Sequence, residues 1–245
     1  CRCDRGAAAI AAGPAAAQAC ANCSAPMQQR FRDGAAGDAR KAAHLLTASL
    51  LWQQEFGVGA IVDEKATATA RGVAVCRSYP MALVPERDLQ GRPIVIARVG
   101  CCDPSFTERA DFFAGETGEI AWLRHHVAIN EAAAALSPQR TVIMDLAHMS
   151  RVHCSSAALA SLRKAVEIDQ RHYPGCTARF FVVNAGPLLR TVWPLVESWL
   201  SAATLERVRV LGRMSEPANR AAILEDIAEA DLPPFLGPRA ARAEG

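Results

Sequence analysis

The fold of this chain is decided by two short apolar runs, Thr141-Val142-Ile143-Met144-Asp145-Leu146 and Phe180-Phe181-Val182-Val183-Asn184-Ala185. Each run has the length of a strand and is continuously hydrophobic, as expected for a strand covered on both faces. Between them, Leu159, Leu162 and Val166 recur at three- and four-residue spacing, which predicts the apolar stripe of a helix. The stretch therefore predicts a strand, a helix and a parallel strand.

Residue types at the ends of this predicted helix support its limits. Ser155 or Ser156 can cap its first turn, and Tyr173-Pro174 ends it, because proline disfavours the helical conformation of the residue before it. A crossover of this kind buries its sheet under helices, so we expect an α/β domain. The turn Ala147-His148-Met149-Ser150 lacks the glycines of a phosphate-cradling loop, so nucleotide binding is not expected.

Composition limits the class of protein. The chain has 245 residues, of which 51% are hydrophobic and 21% charged, and its net charge is +2. These values predict a globular protein with no electrostatic attraction to nucleic acid. The sequence has no run of about 18 apolar residues, so no membrane-spanning helix is predicted. Nine cysteines in a chain of this size predict reduced thiols and a cytosolic location. Because the sequence begins at Cys1 rather than Met, we expect a fragment or a processed product.

The two ends are predicted to be tails. Residues 1–26 are rich in alanine and contain Cys1-x-Cys3 and Cys20-x-x-Cys23, whose four thiols could bind zinc. The residues between them offer few turn formers, so we predict a disordered tail and no metal site. Residues 238–245 are predicted to be a second, solvated tail.

Residues 27–75 are predicted to form a small helical subdomain. Its main helix starts at Asp38, a plausible N-cap, and stops at Gly57. Residues 65–90 are predicted to be irregular, with Tyr79-Pro80 and Pro85 as turn signals.

The remaining elements follow from local patterns. They are a strand from Ile94 to Val99, a helix over residues 116–136, a strand over residues 207–212 and a helix from Pro217. The predicted helix over 116–136 contains His125 and His126, which are expected to be surface or hydrogen-bonded side chains rather than metal ligands.

An amphipathic helix is predicted from Pro187 to Leu200. Its apolar face contains Leu188, Val192, Leu195, Val196 and Trp199, and Trp193 lies beside that face. Two tryptophans suit the interface of a membrane, whereas the same pattern also fits an ordinary core helix.

Seven segments, in order and at the expected spacing, together carry a family resemblance. They are Leu51-Trp52-Gln53-Gln54-Glu55-Phe56-Gly57, Gly91-Arg92-Pro93-Ile94-Val95-Ile96, Ile143-Met144-Asp145-Leu146, Tyr173-Pro174, Phe181-Val182-Val183-Asn184-Ala185, Val210-Leu211-Gly212 and Asp231-Leu232-Pro233. Over residues 28–237 the chain resembles the CRAL-TRIO lipid-binding family, which includes phosphatidylinositol/phosphatidylcholine transfer proteins.

The resemblance implies an α/β fold in which a mostly parallel sheet floors a hydrophobic pocket. The CRAL-TRIO lobe would span residues 76–237 and follow the small N-terminal helical subdomain. It also implies that a movable gate helix covers the pocket and that Arg207 holds a lipid headgroup phosphate. The predicted pocket residues are Val142, Met144, Phe181 and Val183. The predicted gate residues are Leu188, Val192, Trp193, Val196 and Trp199.

Three positions depart from the pattern of the family. Gly175 stands where members that bind inositides have an acidic residue, and Arg32–Gly37 replaces a basic run. Arg140 and Val142 stand where small hydroxyl residues accompany choline binding. The resemblance therefore leaves the identity of the lipid open.

The function expected from the resemblance is the binding of a lipid, phosphatidylinositol or another phospholipid, and its transfer between membranes. The protein would be a monomer without a cofactor, present in the cytoplasm and transiently at a membrane surface. The alternative is a lipid sensor or membrane-recruitment module that does not transfer its ligand.

A thiol enzyme is a third possibility. It would use Cys154 with His148, His153 or His172 as the base. His153 and Cys154 would diverge by about 100° on a helix, so no enzyme is predicted.

Overall fold

A five-stranded sheet forms the centre of the computed structural model, which describes residues 23–63 and 70–236. The strands are β1 (Met81–Arg87), β2 (Pro93–Arg98), β3 (Arg140–Asp145), β4 (Thr177–Val183) and β5 (Val208–Val210), and they lie in that order. β1 pairs antiparallel with β2, and all the other pairs are parallel. The prediction of an α/β fold with a mostly parallel sheet is confirmed.

Helices surround this sheet and precede it. Within the described residues, four lie before β1, at Ala25–Gly34 (α1), Ala39–Phe56 (α2), Val58–Asp63 (α3) and Ala70–Ser78 (α4). The others are Gly118–Leu136 (α5), Ser156–His172 (α6), Pro187–Glu197 (α7), Ala202–Leu205 (α8) and Pro217–Leu224 (α9). Short 3-10 turns include Val99–Cys101, Phe106–Glu108 and Arg151–Cys154.

The ends of the helices follow the predicted caps. Asp38 Oδ1 accepts a hydrogen bond from the Lys41 N–H (2.9 Å) at the start of α2, and Gly57 ends that helix with a φ of 74°. Ser155 Oγ accepts from the Ala158 N–H (3.2 Å) at the start of α6. These local signals are short-range, so the sequence alone could define them.

Two elements occupy the region that was predicted to be irregular. α4 and β1 together span most of residues 70–87. β1 contains Pro85 and lies at the edge of the sheet, where a residue without an N–H is tolerated. Proline was therefore a misleading sign of irregular structure.

The terminal predictions fall almost entirely outside the described residues. Residues 1–22 and 238–245, with Cys1, Cys3 and Cys20, lie there. Ala25 and Pro26, which were assigned to the tail, instead belong to the first turn of α1. Proline is well tolerated there, because the first-turn N–H has no partner within the helix.

The two faces of the sheet are covered differently. One face packs against α9 and the residues after it, in a cluster that includes Ile143, Phe181, Val183, Ile223 and Ile227. These five side chains are completely buried. On the other face, α5 covers β2 and part of β3, and the remaining strand surface faces the site described below.

The N-terminal helices dock on α6 through polar and aromatic contacts. The ring of Trp52 stacks on His172 with centroids 3.9 Å apart and 5° between the planes. The Nδ1 atom of His172 lies 3.2 Å from Ser49 Oγ, and Arg30 donates a hydrogen bond to the sulfur of Cys176 (2.7 Å). The helical segment therefore packs directly on the lobe that contains the sheet.

His125 and His126 are both buried in α5. His125 Nε2 lies 3.0 Å from the Met81 carbonyl, and His126 Nε2 lies 2.9 Å from Asp169 Oδ1. Both side chains join α5 to neighbouring elements, in agreement with the hydrogen-bonded role predicted for them.

Candidate functional site

An apolar cavity of about 160 Å³ lies between the sheet, α6 and α7. The strands contribute Met144, Phe180, Val182 and Val208, and Leu146 lines the cavity just after β3. These residues share one face because side chains alternate along a strand and the pairing sets Met144 beside Val182. The floor of the cavity is therefore built by the centre of the sheet.

Helix α6 forms a second wall with its apolar stripe. Leu159, Leu162 and Val166 line the cavity, as their spacing allows. All three are only partly buried. The stripe that predicted this helix thus faces a cavity rather than close-packed core.

Helix α7 closes the cavity from outside. Leu189, Val192, Trp193 and Val196 line the cavity, and Leu200 lines it just beyond the end of the helix. No residue of Pro187–Glu197 is buried. Its apolar side chains that line the cavity are partly buried against it rather than enclosed in close-packed core.

Both ends of α7 are held by hydrogen bonds. Before the helix, Asn184 adopts a φ of 55°, and its side chain bonds to Asp145 Oδ1 (2.8 Å) and to the Met214 N–H (2.9 Å). After the helix, Gln170 of α6 donates to the Trp199 carbonyl (2.6 Å) and accepts from the Ser201 N–H (2.9 Å). The amino end is held by several groups, whereas at the carboxyl end Gln170 is the one described side chain from outside the segment that forms a hydrogen bond to it.

Asp145 organises the carboxyl ends of three strands beside the cavity. Its side chain accepts from the Ala147 N–H (2.9 Å), from Asn184 and from Arg98 Nε (3.3 Å). Gly100 packs so closely here that a Cβ atom would lie 1.8 Å from the Ala147 carbonyl oxygen. Only glycine allows the turn after β2 to meet the turn after β3 at this distance.

A second, more polar pocket of about 230 Å³ adjoins the cavity. Leu146, Met149 and Leu189 line both, and the second pocket also contains His148 and the exposed Arg213. It lies at the amino end of α7. The two spaces therefore share a wall at the point where α7 begins.

The predicted pocket residues divide between the faces of the sheet. Met144 lines the cavity, but Phe181 and Val183 lie on the opposite face in the core packed against α9. Their neighbours Phe180 and Val182 line the cavity instead. This correction is a shift of one residue, because a continuously apolar strand does not reveal which face is which.

Val142 requires a correction of a different kind. Its side chain lies on the same face of the sheet as that of Met144, but it packs against Ile129 and Ala133 of α5. The helix covers this end of the strand, so Val142 belongs to the core and not to the cavity wall.

The predicted gate residues also divide. Val192, Trp193 and Val196 line the cavity. Leu188 instead lines the second pocket. Trp199 lies beyond α7, with its ring 6.0 Å from the guanidinium carbon of Arg163. The helix ends at Glu197, so the direction of Trp199 is not set by the helical periodicity used to predict it.

Arg207 lies outside the cavity, in the segment before β5. Its Nη1 donates to the carbonyl of Thr177 (2.9 Å), the first residue of β4. It is partly buried at the end of the sheet that is opposite to Asp145. Its predicted role with a headgroup stays a prediction.

The thiol of Cys154 and the imidazole of His153 both line the cavity. Burial raises the pKa of the Cys154 thiol, which disfavours the reactive thiolate. His153 Nδ1 accepts from the Ser150 N–H (3.1 Å) rather than from the thiol. The pair therefore lacks the hydrogen bond that an activated nucleophile requires.

Among the residues that the structure describes, no three side chains of the His, Cys, Asp or Glu type come together as a metal site. None of the helices within residues 23–63 and 70–236 has the length and hydropathy that crossing a bilayer requires.

The sequence is similar to those of known proteins. The sequence model of the CRAL/TRIO domain matches residues 77–237. The Arabidopsis thaliana protein named phosphatidylinositol/phosphatidylcholine transfer protein SFH7 is 27% identical over 217 residues, which cover 86% of this chain and 38% of that protein. The Sec14 cytosolic factor of Schizosaccharomyces pombe is 27% identical over 197 residues, covering 76% of this chain and 64% of that one.

A solved structure shows the same fold. The crystal structure of Sfh5 superposes with a TM-score of 0.62 at 14% sequence identity, covering 78% of this chain and 65% of that chain. The chain spans less than two thirds of each of these relatives. Since the domain model matches more than half of the sequence, and the predicted resemblance is confirmed, the chain belongs to the CRAL/TRIO domain family.

Proposed function

We propose that the protein binds a lipid in the apolar cavity and carries it between membranes, with α7 as the gate helix. The observation that carries this proposal is an apolar cavity closed by a helix without a buried residue. Membership of the CRAL/TRIO family supports a lipid ligand. The names of relatives such as SFH7 support phosphatidylinositol or another phospholipid.

The free energy of lipid hydration explains why a carrier must enclose its ligand. Exposing a methylene to water costs about 0.8 kcal/mol, so a sixteen-carbon chain costs on the order of 12 kcal/mol. Apolar side chains such as Met144, Phe180 and Val182 replace that contact with water. A cavity floored by the sheet can therefore hold an acyl chain during its passage through water.

The size of the cavity implies that the gate helix moves. Pockets for drug-sized ligands have volumes of about 300–1,000 Å³. The observed 160 Å³ is smaller, so a phospholipid requires α7 to move outward. The absence of buried residues in Pro187–Glu197 makes this displacement inexpensive.

A membrane surface is the natural partner for an open gate helix. Leu195 of α7 is 47% exposed, and Trp193 and Trp199 have rings suited to the headgroup region. We expect transient binding at the cytoplasmic face of a membrane. Tryptophan fluorescence should shift when liposomes are added, and an unchanged spectrum would rule out a membrane-gated helix.

The decisive experiment is to purify the protein, record its native mass spectrum and identify the extracted lipid. We expect one phospholipid per chain and its transfer between donor and acceptor vesicles. Val192→Asp, which puts a charge into the cavity wall, should abolish loading, whereas Glu197→Gln on the exposed side of α7 should not. A protein that remains empty after incubation with mixed liposomes would overturn the proposal.

Retention without transfer would favour a lipid sensor or recruitment module over a carrier. The headgroup prediction has its own test. Arg207→Ala should weaken the retention of phosphatidylinositol but not that of a neutral lipid, because only the former has a phosphate.

A further inference from the structure

Unpartnered hydrogen-bond donors lie in the wall of the apolar cavity. Trp122 is only 3% exposed, it lines the cavity, and its Nε1–H has no acceptor among the described atoms. Thr107 also lines the cavity, and its Oγ1 atom is buried without a partner in the described part of the chain. Buried polar atoms in proteins are usually paired, so these exceptions require a reason.

Trp122 and Thr107 belong to one corner of the cavity. Gly118 precedes Trp122 by four residues on α5, so both lie on the same helix face. A Cβ atom on Gly118 would lie 3.2 Å from Thr107 Cα. Tyr79 joins the two sides, because its ring centroid lies 5.3 Å from Trp122 and 6.2 Å from Phe106. Trp122 and Thr107 therefore belong to neighbouring parts of the wall.

His153 supplies a further donor. Its Nδ1 accepts from the Ser150 N–H (3.1 Å), so the proton of the neutral ring lies on Nε2. That Nε2 atom is buried, and no described protein atom accepts from it. Two other hydroxyls of the wall are occupied, since Ser161 donates to Glu119 (2.9 Å) and Thr204 pairs with Ser201 (2.9 Å).

The wall thus offers donors but no charge of its own. None of the described residues that line the cavity is Asp, Glu, Lys or Arg. An ionised group would lose its hydration there without gaining a partner ion. A neutral oxygen that only accepts hydrogen bonds would satisfy the donors at no such cost.

We infer that the cavity recognises an ester carbonyl oxygen of its lipid, which accepts hydrogen bonds from Thr107 and Trp122, while charged parts of the ligand stay outside. This inference rests on the proposed function and deepens it. It makes Thr107 and Trp122 specificity determinants for acyl esters over purely hydrocarbon or ether-linked chains. His153 is a donor for a second oxygen.

The test is a direct competition between two probes that differ in one carbonyl. The protein is incubated with equimolar methyl oleate and oleyl methyl ether, recovered, extracted and quantified by mass spectrometry. We expect the ester to be bound in about tenfold excess, as two buried hydrogen bonds would give. Thr107→Val should reduce the ratio to about threefold, and Thr107→Val with Trp122→Phe should bring it near one.

Thr204→Val is the matched control. Thr204 also lines the cavity, but its hydroxyl already has a partner, so this variant should keep the wild-type ratio. Thr107→Val preserves the shape of the side chain at a partly exposed position, so it tests the inference even if the double variant does not fold.

Three outcomes would overturn the inference. A ratio near one in the wild-type protein would remove it and leave the proposed lipid binding intact. An equal fall in the ratio for Thr107→Val and Thr204→Val would show a general effect of cavity polarity. Failure of the wild-type protein to bind either probe would overturn the inference, while phospholipid loading from mixed liposomes tests the proposed function separately.

Discussion

The two faces of the central sheet are built from the same strands but are covered in different ways. On one face, Ile143, Phe181 and Val183 pack against α9 and are completely buried. On the other, Met144, Phe180 and Val182 face a cavity that α7 closes without burying any of its own residues. The comparison shows that close-packed core and cavity wall are separated by one residue along β3 and β4.

The largest expected effect tests this separation directly. Phe181→Ala should lower the free energy of unfolding by about 3–5 kcal/mol, because a fully buried ring leaves a cavity in close-packed core. Phe180→Ala should cost less than about 2 kcal/mol, since Phe180 is only partly buried. Equilibrium unfolding in guanidinium chloride measures both, and equal losses would show that the two faces are energetically alike.

Larger side chains should also distinguish the two faces of the sheet. Ile143→Trp should lower the free energy of unfolding by about 1–3 kcal/mol, because the core has no space for a larger side chain. Met144→Trp should change it by less than about 1 kcal/mol, because the added ring enters the cavity. Met144→Trp should also reduce the lipid recovered per chain several-fold. Normal loading of this variant would contradict the assignment of the cavity.

Part of this contrast could be predicted from the sequence. The strands β3 and β4 and the helix between them follow from β-branched runs, a helical stripe and local caps. Which residue of each strand faces the cavity could not be predicted, because Phe180 to Val183 are all apolar and a one-residue shift exchanges the faces. Which side chains point toward the cavity depends on the elements that pack on the strand, and those elements are distant in sequence.

Three other features could not be predicted from the sequence for similar reasons. Trp122 looks like any core tryptophan in a helical pattern, and only the folded structure shows that its N–H lacks an acceptor. Trp199 fits the stripe of the predicted gate helix, but α7 ends two residues before it. Pro85 suggested a loop, although an edge strand accommodates it.

The contact between the N-terminal helices and α6 should make the free energy of unfolding depend on pH. The apolar contacts on the two faces of the sheet should not. Burial, and then the charge of Arg171, lowers the pKa of His172 to about 4. In the unfolded chain a histidine has a pKa of about 6.5, so the unfolded state binds this proton first as the pH falls. Neutral His172 therefore contributes stability above about pH 6.5 that is lost as the pH falls toward 4.

His172→Gln, which cannot be protonated, should flatten this part of the pH dependence. The difference between wild type and variant should change by about 1 kcal/mol between pH 7 and pH 4.5, because partial exposure screens the charge. Urea unfolding at several pH values measures it. Parallel pH profiles would show that the stack on Trp52 does not hold the histidine neutral. Phe181→Ala should lower stability equally at each pH, since no charge is involved.

The smallest effect is expected on the outer side of α7. Leu195→Gln should change the free energy of unfolding by less than about 0.5 kcal/mol, because Leu195 is 47% exposed. It should nevertheless reduce binding to vesicles in a sedimentation assay, while lipid already inside the cavity is retained. Unchanged vesicle binding would show that the membrane meets another surface.

The two ends of α7 are held by different numbers of hydrogen-bonding groups, and this difference has a kinetic consequence. Gln170 holds the segment after the helix through both atoms of its amide, yet it is not among the described residues that line the cavity. With α7 as the proposed gate helix, such a side chain would influence the barrier for ligand escape without touching the ligand. Residence time can therefore change independently of affinity, and two proteins with the same cavity could serve as a slow reservoir or a fast shuttle through a difference at this single position.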